Sequence, residues 1–237
     1  MEQVADPLKG RVALVTGAGR MPGRFAARLL AAAGARMLLQ DLAPQELEET
    51  AGKIRQAGGK AKTLIADIGK GLPLAAMLDE AGQDADILVL ALQVRPGTRL
   101  SALDEWEWQR SLELNLSSAF LLIQALSVNM KAAGRGAVIA LLRESPLSDD
   151  PAYAAALGGL GGLLRACSAE LRESGVGVYG VTLDEDVMDM LETAAVEGED
   201  SARRRRVLEG LRDLLLYLCS PQALEVSGRI LEVSGVE

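Results

Sequence analysis

Histidine is absent from this sequence of 237 residues, and cysteine occurs only twice, at Cys167 and Cys219. Without histidine, the chain cannot build a histidine-ligated zinc centre or a histidine-dependent nucleophilic triad. Two cysteines are too few for a disulfide framework or a cysteine-based metal site. We therefore predict no metal centre, and we expect both cysteines to be small buried apolar residues.

Long hydrophobic runs and an excess of positive charge are also lacking. No apolar run reaches the roughly 18 residues that a transmembrane helix needs. The N-terminus, MEQVADPLKG, lacks the basic start and apolar core of a signal peptide. The net charge is -8 and the pI is near 4.8, which disfavours nucleic acids and anionic membranes as partners. The composition predicts a soluble cytoplasmic protein.

Apolar runs and helical periodicities alternate along the chain, and glycine ends several of the helical segments. Most strand candidates are continuous apolar runs, which are typical of parallel strands covered on both faces. The sequence thus predicts one doubly wound (Rossmann) α/β domain, residues 1–237, with a seven-stranded parallel sheet and helices on both faces. The predicted strands are residues 11–16, 36–40, 61–66, 86–90, 136–141, 177–182 and 229–233. The predicted helices are residues 24–33, 44–57, 72–81, 103–130, 152–174 and 203–219.

Several short motifs follow one another in a set order along these elements. The first strand and its glycine turn read RVALVTGAGR, and the segment LELNLSSAF contains Asn115. The last strand reads SGRILEVSG. Together these motifs resemble the short-chain dehydrogenase/reductase family, classical type, over essentially the whole chain. The resemblance implies an NAD-dependent oxidoreductase that acts on a ketone or a secondary alcohol.

The resemblance also implies roles for individual residues. The glycine turn is expected to hold the pyrophosphate of NAD, and two acidic residues are expected on the ribose and adenine sides. A tyrosine is expected to transfer the proton, and a serine to polarise the carbonyl. The implied cofactor residues are Gly17, Gly19, Gly23, Asp41 and Asp67, and the implied catalytic residues are Tyr153, Asn115 and Ser145.

The catalytic positions depart from the family pattern. The family's lysine, four residues after the tyrosine, lowers the tyrosine pKa, but here that position is Leu157. A phenol with a pKa of about 10 and no neighbouring cation stays protonated at neutral pH. Arg143 stands at the serine position, so Ser145 can substitute only if the loop rearranges. The family's Asn-Asn-Ala-Gly segment corresponds to residues 90–93, which are Leu-Ala-Leu-Gln in this chain. Asp184 is expected near the nicotinamide.

The pyrophosphate turn has two further departures. Met21 occupies the position of the second family glycine and is expected to put a side chain where phosphate would lie. Pro22 follows it, and proline has no N–H to offer to an anion at the helix start. Proline is nonetheless compatible with a first helical turn. We therefore predict that the chain binds NAD(H) weakly or not at all.

Each retained polar residue also has a purely structural interpretation. Asp41 can cap the following helix, and Asp67 can be a turn residue. Asn115 can hold the backbone by hydrogen bonds without a substrate, which is the interpretation we favour. Tyr153 can pack as an aromatic residue at a helix start. The run Arg203–Arg206 is expected to be a solvated helix face, with a CoA phosphate or an acidic partner as the alternative.

Residues 184–201 replace the family's substrate lid and are dense in carboxylates. Such a segment repels anionic substrates. We expect a mobile, solvated loop here.

The helices Leu103–Met130 and Ala152–Ser174 correspond to the family's subunit contacts. The second contains Gly158, Gly159, Gly161 and Gly162, each of which costs about 1 kcal/mol relative to alanine within a helix. Small residues permit a neighbouring helix to approach closely. Leucines at 157, 160, 163 and 164 make this helix apolar around its circumference, so we expect part of it to be buried against a partner.

Three functions remain open on the sequence alone. We favour a catalytically degenerate subunit that pairs with an active paralogue in a heteromeric NAD-dependent dehydrogenase of the hydroxyacyl or ketone class. The partner can also be a second copy of this chain. The alternatives are a working NAD-dependent oxidoreductase with Tyr153, Asn115 and Ser145, or a non-enzymatic binding module. NADH turnover by the isolated chain would favour the second function.

Overall fold

A computed structural model describes residues 6–81, 84–144, 150–193 and 200–235. Seven parallel strands form one sheet in the order β3-β2-β1-β4-β5-β6-β7, which confirms the predicted fold. Strand order reverses between β1 and β4, and such reversals open a crevice at the carboxyl ends of the strands. The strands are β1 (Val12–Thr16), β2 (Arg36–Asp41), β3 (Ala61–Ile65), β4 (Ile87–Leu90), β5 (Gly136–Arg143), β6 (Val176–Leu183) and β7 (Ile230–Val233).

Helices cover both faces of the sheet and enclose two apolar clusters. Side chains of a strand alternate between the faces, so Leu14 enters one cluster while Ala13 and Val15 enter the other. Helices α1, α2, α7 and α8 contribute to the cluster with Val15, whereas α3, α5 and α6 contribute to the cluster with Leu14. The helices are α1 (Gly23–Ala32), α2 (Pro44–Gln56), α3 (Gly71–Ala81), α4 (Glu105–Leu112), α5 (Ser118–Ala133), α6 (Pro151–Leu171), α7 (Glu185–Glu192) and α8 (Asp200–Leu218).

The long helix predicted over residues 103–130 is divided into two α-helices by a π-helical turn. It begins at Glu105, because the Asp104 side chain accepts a hydrogen bond from the Glu107 N–H at 2.8 Å. The π turn spans Glu113–Ser117, and α5 ends before Gly134, which adopts left-handed φ of 64°. The predicted bounds were therefore wrong at both ends.

This same stretch, Glu105–Ala133, is long and apolar enough by composition to cross a membrane, with a mean hydropathy of 1.3. Within the protein, 44% of the 18-residue window is buried. Its inner side packs against the sheet through Leu122, Leu126 and Met130. A core helix passes the same test, so this stretch is weak evidence for a membrane span.

The prediction of a solvated loop over residues 184–201 was wrong for its first half. Residues 185–192 form helix α7, because Val187, Met188 and Leu191 are buried in the core. Residues 194–199 lie outside the described residues. Only these three apolar residues mark the buried side of the helix, and the carboxylates around them favoured a loop in the sequence analysis.

The run Arg203–Arg206 is not simply a solvated face. The Arg203 guanidinium donates to the Gly235 carbonyl oxygen at 2.8 Å and lies 3.3 Å from an Asp186 oxygen. Arg204 donates to the Met190 carbonyl oxygen at 2.8 Å. Two of the four arginines thus attach α7 and the C-terminal segment to α8.

The leucines used to predict the subunit face also lie elsewhere. Leu160 and Leu164 are buried in the core, and Leu157 and Leu163 pack against it. The exposed positions of α6 are instead mostly small residues, with Arg165 and Glu170 among them; the small ones include Ala155, Gly158, Gly162, Ala166 and Ala169. A subunit contact at this surface would therefore rest on close approach of small residues.

Candidate functional site

The glycine turn after β1 lies at the crevice formed by the reversal of strand order. Gly17 has φ of 65°, a left-handed conformation that favours glycine. A Cβ at Gly17 would lie 2.9 Å from the backbone of Leu92, which follows β4. A Cβ at Gly23 would overlap the Gly17 carbonyl oxygen. The turn is closely packed, so both glycines have a structural reason to be present.

The carboxylate of Asp41 is directed at the turn rather than at the following helix. One oxygen accepts a hydrogen bond from the Gly19 N–H at 2.9 Å, and the other accepts from the Leu42 and Ala43 N–H groups. Ala43 is the residue that caps α2, and no side chain bonds there. The helix-cap interpretation was therefore wrong. Asp41 is 8% exposed and its oxygens already have backbone donors.

Met21 lies on the opposite side of the turn from the position expected for it. Its side chain packs against the cluster that contains α1 and α8, beside Phe25 and Leu208. The expectation that Met21 fills the phosphate position was wrong. The Arg24 guanidinium donates to the Gly19 carbonyl oxygen, which holds the turn closed from the other side.

Asp67 forms an ion pair across the sheet edge. Both of its oxygens lie 2.8 Å from the Arg110 guanidinium, and one accepts from the Gly69 N–H at 3.1 Å. The hydrogen bond to Gly69 confirms the interpretation of Asp67 as a turn residue. The ion pair with Arg110 of α4 was not predicted from the sequence. These bonds occupy the carboxylate that the resemblance places beside adenine.

Tyr153 is almost completely buried, with 1% of its surface exposed. Its hydroxyl lies 3.1 Å from the Arg143 carbonyl oxygen and 3.2 Å from the Gln93 side-chain oxygen. Burial raises the pKa of Tyr153 to about 12, although Arg95 and Arg143 act in the opposite direction. The hydroxyl is therefore a protonated donor within the protein at neutral pH.

Gln93 is the residue that sequence reasoning did not identify. Its amide nitrogen donates to the Leu141 carbonyl oxygen, and its oxygen accepts from the Arg143 N–H at 3.0 Å. One side chain thus joins the loop after β4, the end of β5 and Tyr153. The only sequence signal was a long polar residue at the last position of the family's Asn-Asn-Ala-Gly segment.

The space left between these groups is very small. A cavity of about 20 Å³ lies beside Tyr153 and Asn115, whereas a single water needs roughly 10–15 Å³. Leu92, Gln93 and Leu157 are among its lining residues, and none of Gly17, Gly19, Asp41 and Asp67 lines it. Thr16, Leu90, Leu114, Asn115, Ser118, Ala119, Leu141, Leu142, Tyr153 and Leu160 complete the lining.

Asn115 holds the backbone of the loop that follows β4. Its oxygen accepts from the Val94 N–H at 2.8 Å, and its nitrogen donates to the Val94 carbonyl oxygen at 2.8 Å. It lies in the π turn, 7% exposed. This geometry favours the structural interpretation of Asn115. Ser145, the third predicted catalytic residue, lies outside the described residues.

Asp184 does not project into the crevice. Its oxygens accept from the Val187 N–H at 2.8 Å, the Ser234 hydroxyl at 2.8 Å and the Gly235 N–H at 2.9 Å. Burial raises the pKa of Asp184, but these hydrogen bonds and Arg203 outweigh it and lower the pKa. Both Asp184 oxygens therefore have donors within the chain, and the expected place of this carboxylate near the nicotinamide stays a prediction. Among the described residues, no cluster suited to a metal ion is found.

The buried hydroxyl of Tyr153 leads to a stability prediction. Tyr153→Phe removes one buried hydrogen bond and is expected to lower the free energy of unfolding by about 1 kcal/mol. Tyr217→Phe is the matched control, because that hydroxyl lies on an exposed residue, 3.4 Å from its acceptor. Urea unfolding of both variants measures the difference. Equal stabilities for the two variants would contradict the buried hydrogen bond.

Comparisons with known proteins agree with the fold. The sequence profile described as "short chain dehydrogenase" matches residues 11–193. A cis-4-hydroxycyclohexanecarboxylate dehydrogenase of Sinomonas cyclohexanicum is 30% identical over 95% of both chains. A 7alpha-hydroxysteroid dehydrogenase of Escherichia coli K12 is 29% identical over 96% of this chain and 94% of the relative. A gluconate 5-dehydrogenase of Burkholderia cenocepacia J2315, solved with NADP and tartrate, has a TM-score of 0.79 at 27% identity, covering 96% and 95% of the two chains.

Proposed function

We propose that this chain, which belongs to the short-chain dehydrogenase/reductase family of oxidoreductases, is a non-catalytic member that acts as a subunit. The observation that carries the proposal is the environment of Tyr153, whose hydroxyl is buried and lies within hydrogen-bond distance of the Gln93 side chain and the Arg143 carbonyl oxygen. A hydroxyl held in this way is not presented to a substrate. The hydrogen bonds of Gln93 to β5 and to Tyr153 hold this arrangement.

The residues of the turn do not fit a dinucleotide. The Gly19 N–H, in the turn that the resemblance assigns to the pyrophosphate, is bonded to Asp41. Pro22 supplies no N–H at the start of α1. Leu157 supplies no charge for the nicotinamide ribose. We therefore derive no hydride transfer through this site, and the proposal includes weak or absent NAD binding.

Cofactor binding gives a direct test. Calorimetric titration with NADH is expected to give a dissociation constant weaker than about 1 mM. Leu157→Lys alone is expected to leave the chain without NADH consumption, because the hydrogen bonds of Tyr153 and the altered turn are unchanged and such groups act as a unit. A dissociation constant of about 1 μM for NADH, or ketone reduction by the single variant, would contradict the proposal.

The surface that supports a subunit role lies on the outer side of α5 and α6. Phe120 and Val128 of α5 are 44% and 60% exposed. Gly158 and Gly162 of α6 are exposed, and a Cβ at either position would meet nothing within 4 Å. Family members pair through the corresponding helices. We propose that this surface contacts an active paralogue, or a second copy of this chain, across a two-fold or pseudo-two-fold axis.

The identity of the partner can be tested by co-purification. A tagged chain isolated from its native source is expected to bring down a short-chain dehydrogenase that retains the tyrosine and lysine. That complex should consume NADH with a hydroxyacyl or ketone substrate, whereas the tagged chain alone should not. Activity of the isolated chain would support the alternative, an unorthodox oxidoreductase of the kind that the names of the relatives suggest.

A further inference from the structure

A second concave region lies on the other face of the sheet, between α1, α2 and α8. We call it the α1–α2–α8 groove. It has a volume of about 560 Å³, within the roughly 300–1,000 Å³ that is typical of small-molecule sites. Its apolar floor comprises Met21, Phe25, Leu29, Ile54 and Leu208. This groove shares no lining residue with the small cavity beside Tyr153.

Positive charge surrounds the apolar floor. Arg28, Lys53 and Arg205 line the groove, one from each of its three helices. Within the described part of the chain, none of these three side chains has an ion pair or a hydrogen bond. A fourth cation, Arg212, lies beside Asp213, and Glu209 is the carboxylate in the lining. The local charge is therefore positive in a chain whose net charge is -8.

Unpaired cations around an apolar floor indicate the chemistry of the occupant. An aliphatic chain would displace water from the floor, which is favourable in proportion to the apolar area covered. A carboxylate at its end would reach the guanidinium and ammonium groups on the rim. We propose that the α1–α2–α8 groove binds a fatty-acid anion, with its chain on the floor and its carboxylate between Arg28, Lys53 and Arg205.

The groove also explains what Met21 does. Met21 and Phe25 lie four residues apart and line the same end of the groove. A glycine at position 21, as in the resemblance, would leave Phe25 without the neighbouring Met21 side chain. The residue that departs from the pyrophosphate pattern thus contributes apolar surface on the other side of the turn. The binding site proposed here does not depend on whether the crevice is catalytic.

The first experiment compares three probes of equal chain length, below the concentrations at which they form micelles. Calorimetry is expected to show dodecanoate binding about tenfold more tightly than dodecanol, and dodecyltrimethylammonium binding more weakly than both. Equal affinity for all three probes would overturn the proposal. So would binding of anionic lipid vesicles without binding of dodecanoate, which would indicate a membrane surface instead.

Two sets of variants locate the site. Arg28→Gln with Lys53→Gln is expected to weaken dodecanoate binding about tenfold or more and to leave dodecanol binding unchanged. Lys70→Gln with Arg99→Gln removes the same charge from exposed positions outside the groove lining and should change neither. Ala32→Phe, at an exposed position of the lining, should abolish both. Unchanged dodecanoate binding in the first variant or in Ala32→Phe would overturn the proposal.

Discussion

Replacing Gly158 with glutamate is expected to abolish the proposed subunit contact without unfolding the chain. In the single chain, a Cβ at Gly158 meets no atom within 4 Å, so the new side chain fits. Glutamate also raises the helix propensity of the site, by about 0.5–1 kcal/mol relative to glycine. At a closely packed contact between helices, however, it would bury an unpaired charge. A loss of about 4 kcal/mol, or a thousandfold in the dissociation constant, is expected.

Sedimentation velocity over a range of concentrations measures this effect. Gly52→Glu in α2 is the matched control, since a Cβ there also meets nothing within 4 Å, and this helix is outside the proposed contact. The control should sediment like the wild type. A wild-type chain that stays monomeric at micromolar concentration, alone and with any paralogue that co-purification identifies, would contradict the proposed surface.

The choice of residue for that test shows what the sequence could not reveal. Sequence periodicity indicated that α6 is apolar on all sides, and it pointed to Gly161 as a contact residue. In the structure, a Cβ at Gly161 would lie 3.2 Å from Ile230 of the same chain. A glutamate there would disturb the fold of the subunit itself. The periodicity of a helix does not tell which of two apolar sides faces its own sheet.

The five central strands (β1, β2, β4, β5 and β6) were predictable because each contains an apolar run that is buried on both faces of the sheet. Helix α7 was missed because only Val187, Met188 and Leu191 mark its buried side within a segment of carboxylates. Local composition favoured a loop, and burial against α8 decided otherwise. The bounds of the strands confirm the predictions to within two residues.

The sequence predicted which residues depart from the family pattern at the candidate site, but not how those residues contact one another. The sequence identified the lost lysine at Leu157 and the altered turn at Met21 and Pro22. It could not show that Gln93 bonds to Leu141, because Gln93 lies in the loop after β4 and Leu141 in β5, and the two meet only after the sheet forms. It placed the Met21 side chain on the wrong side of the turn for the same reason. The residues that departed from the family were visible, but the contacts that they make were not.

The glycines of the turn provide the second large effect. Gly23→Ala is expected to lower the free energy of unfolding by about 3 kcal/mol, because a Cβ there would lie 2.8 Å from the Gly17 carbonyl carbon and overlap the oxygen. Both are backbone atoms, so β1 or α1 must shift to make room. For a chain of this size, the melting temperature should fall by about 10 °C.

The matched control is Gly52→Ala, at a helical glycine where the added Cβ meets nothing within 4 Å. That change should raise the free energy of unfolding by about 0.5–1 kcal/mol through helix propensity alone. Thermal unfolding of the two variants, without any nucleotide, separates a packing role from a cofactor role. A glycine kept only for a pyrophosphate would tolerate alanine in the absence of ligand. A loss of stability in Gly23→Ala with a gain in Gly52→Ala would mean that the turn keeps its glycines to pack β1 against α1, whether or not a dinucleotide ever binds.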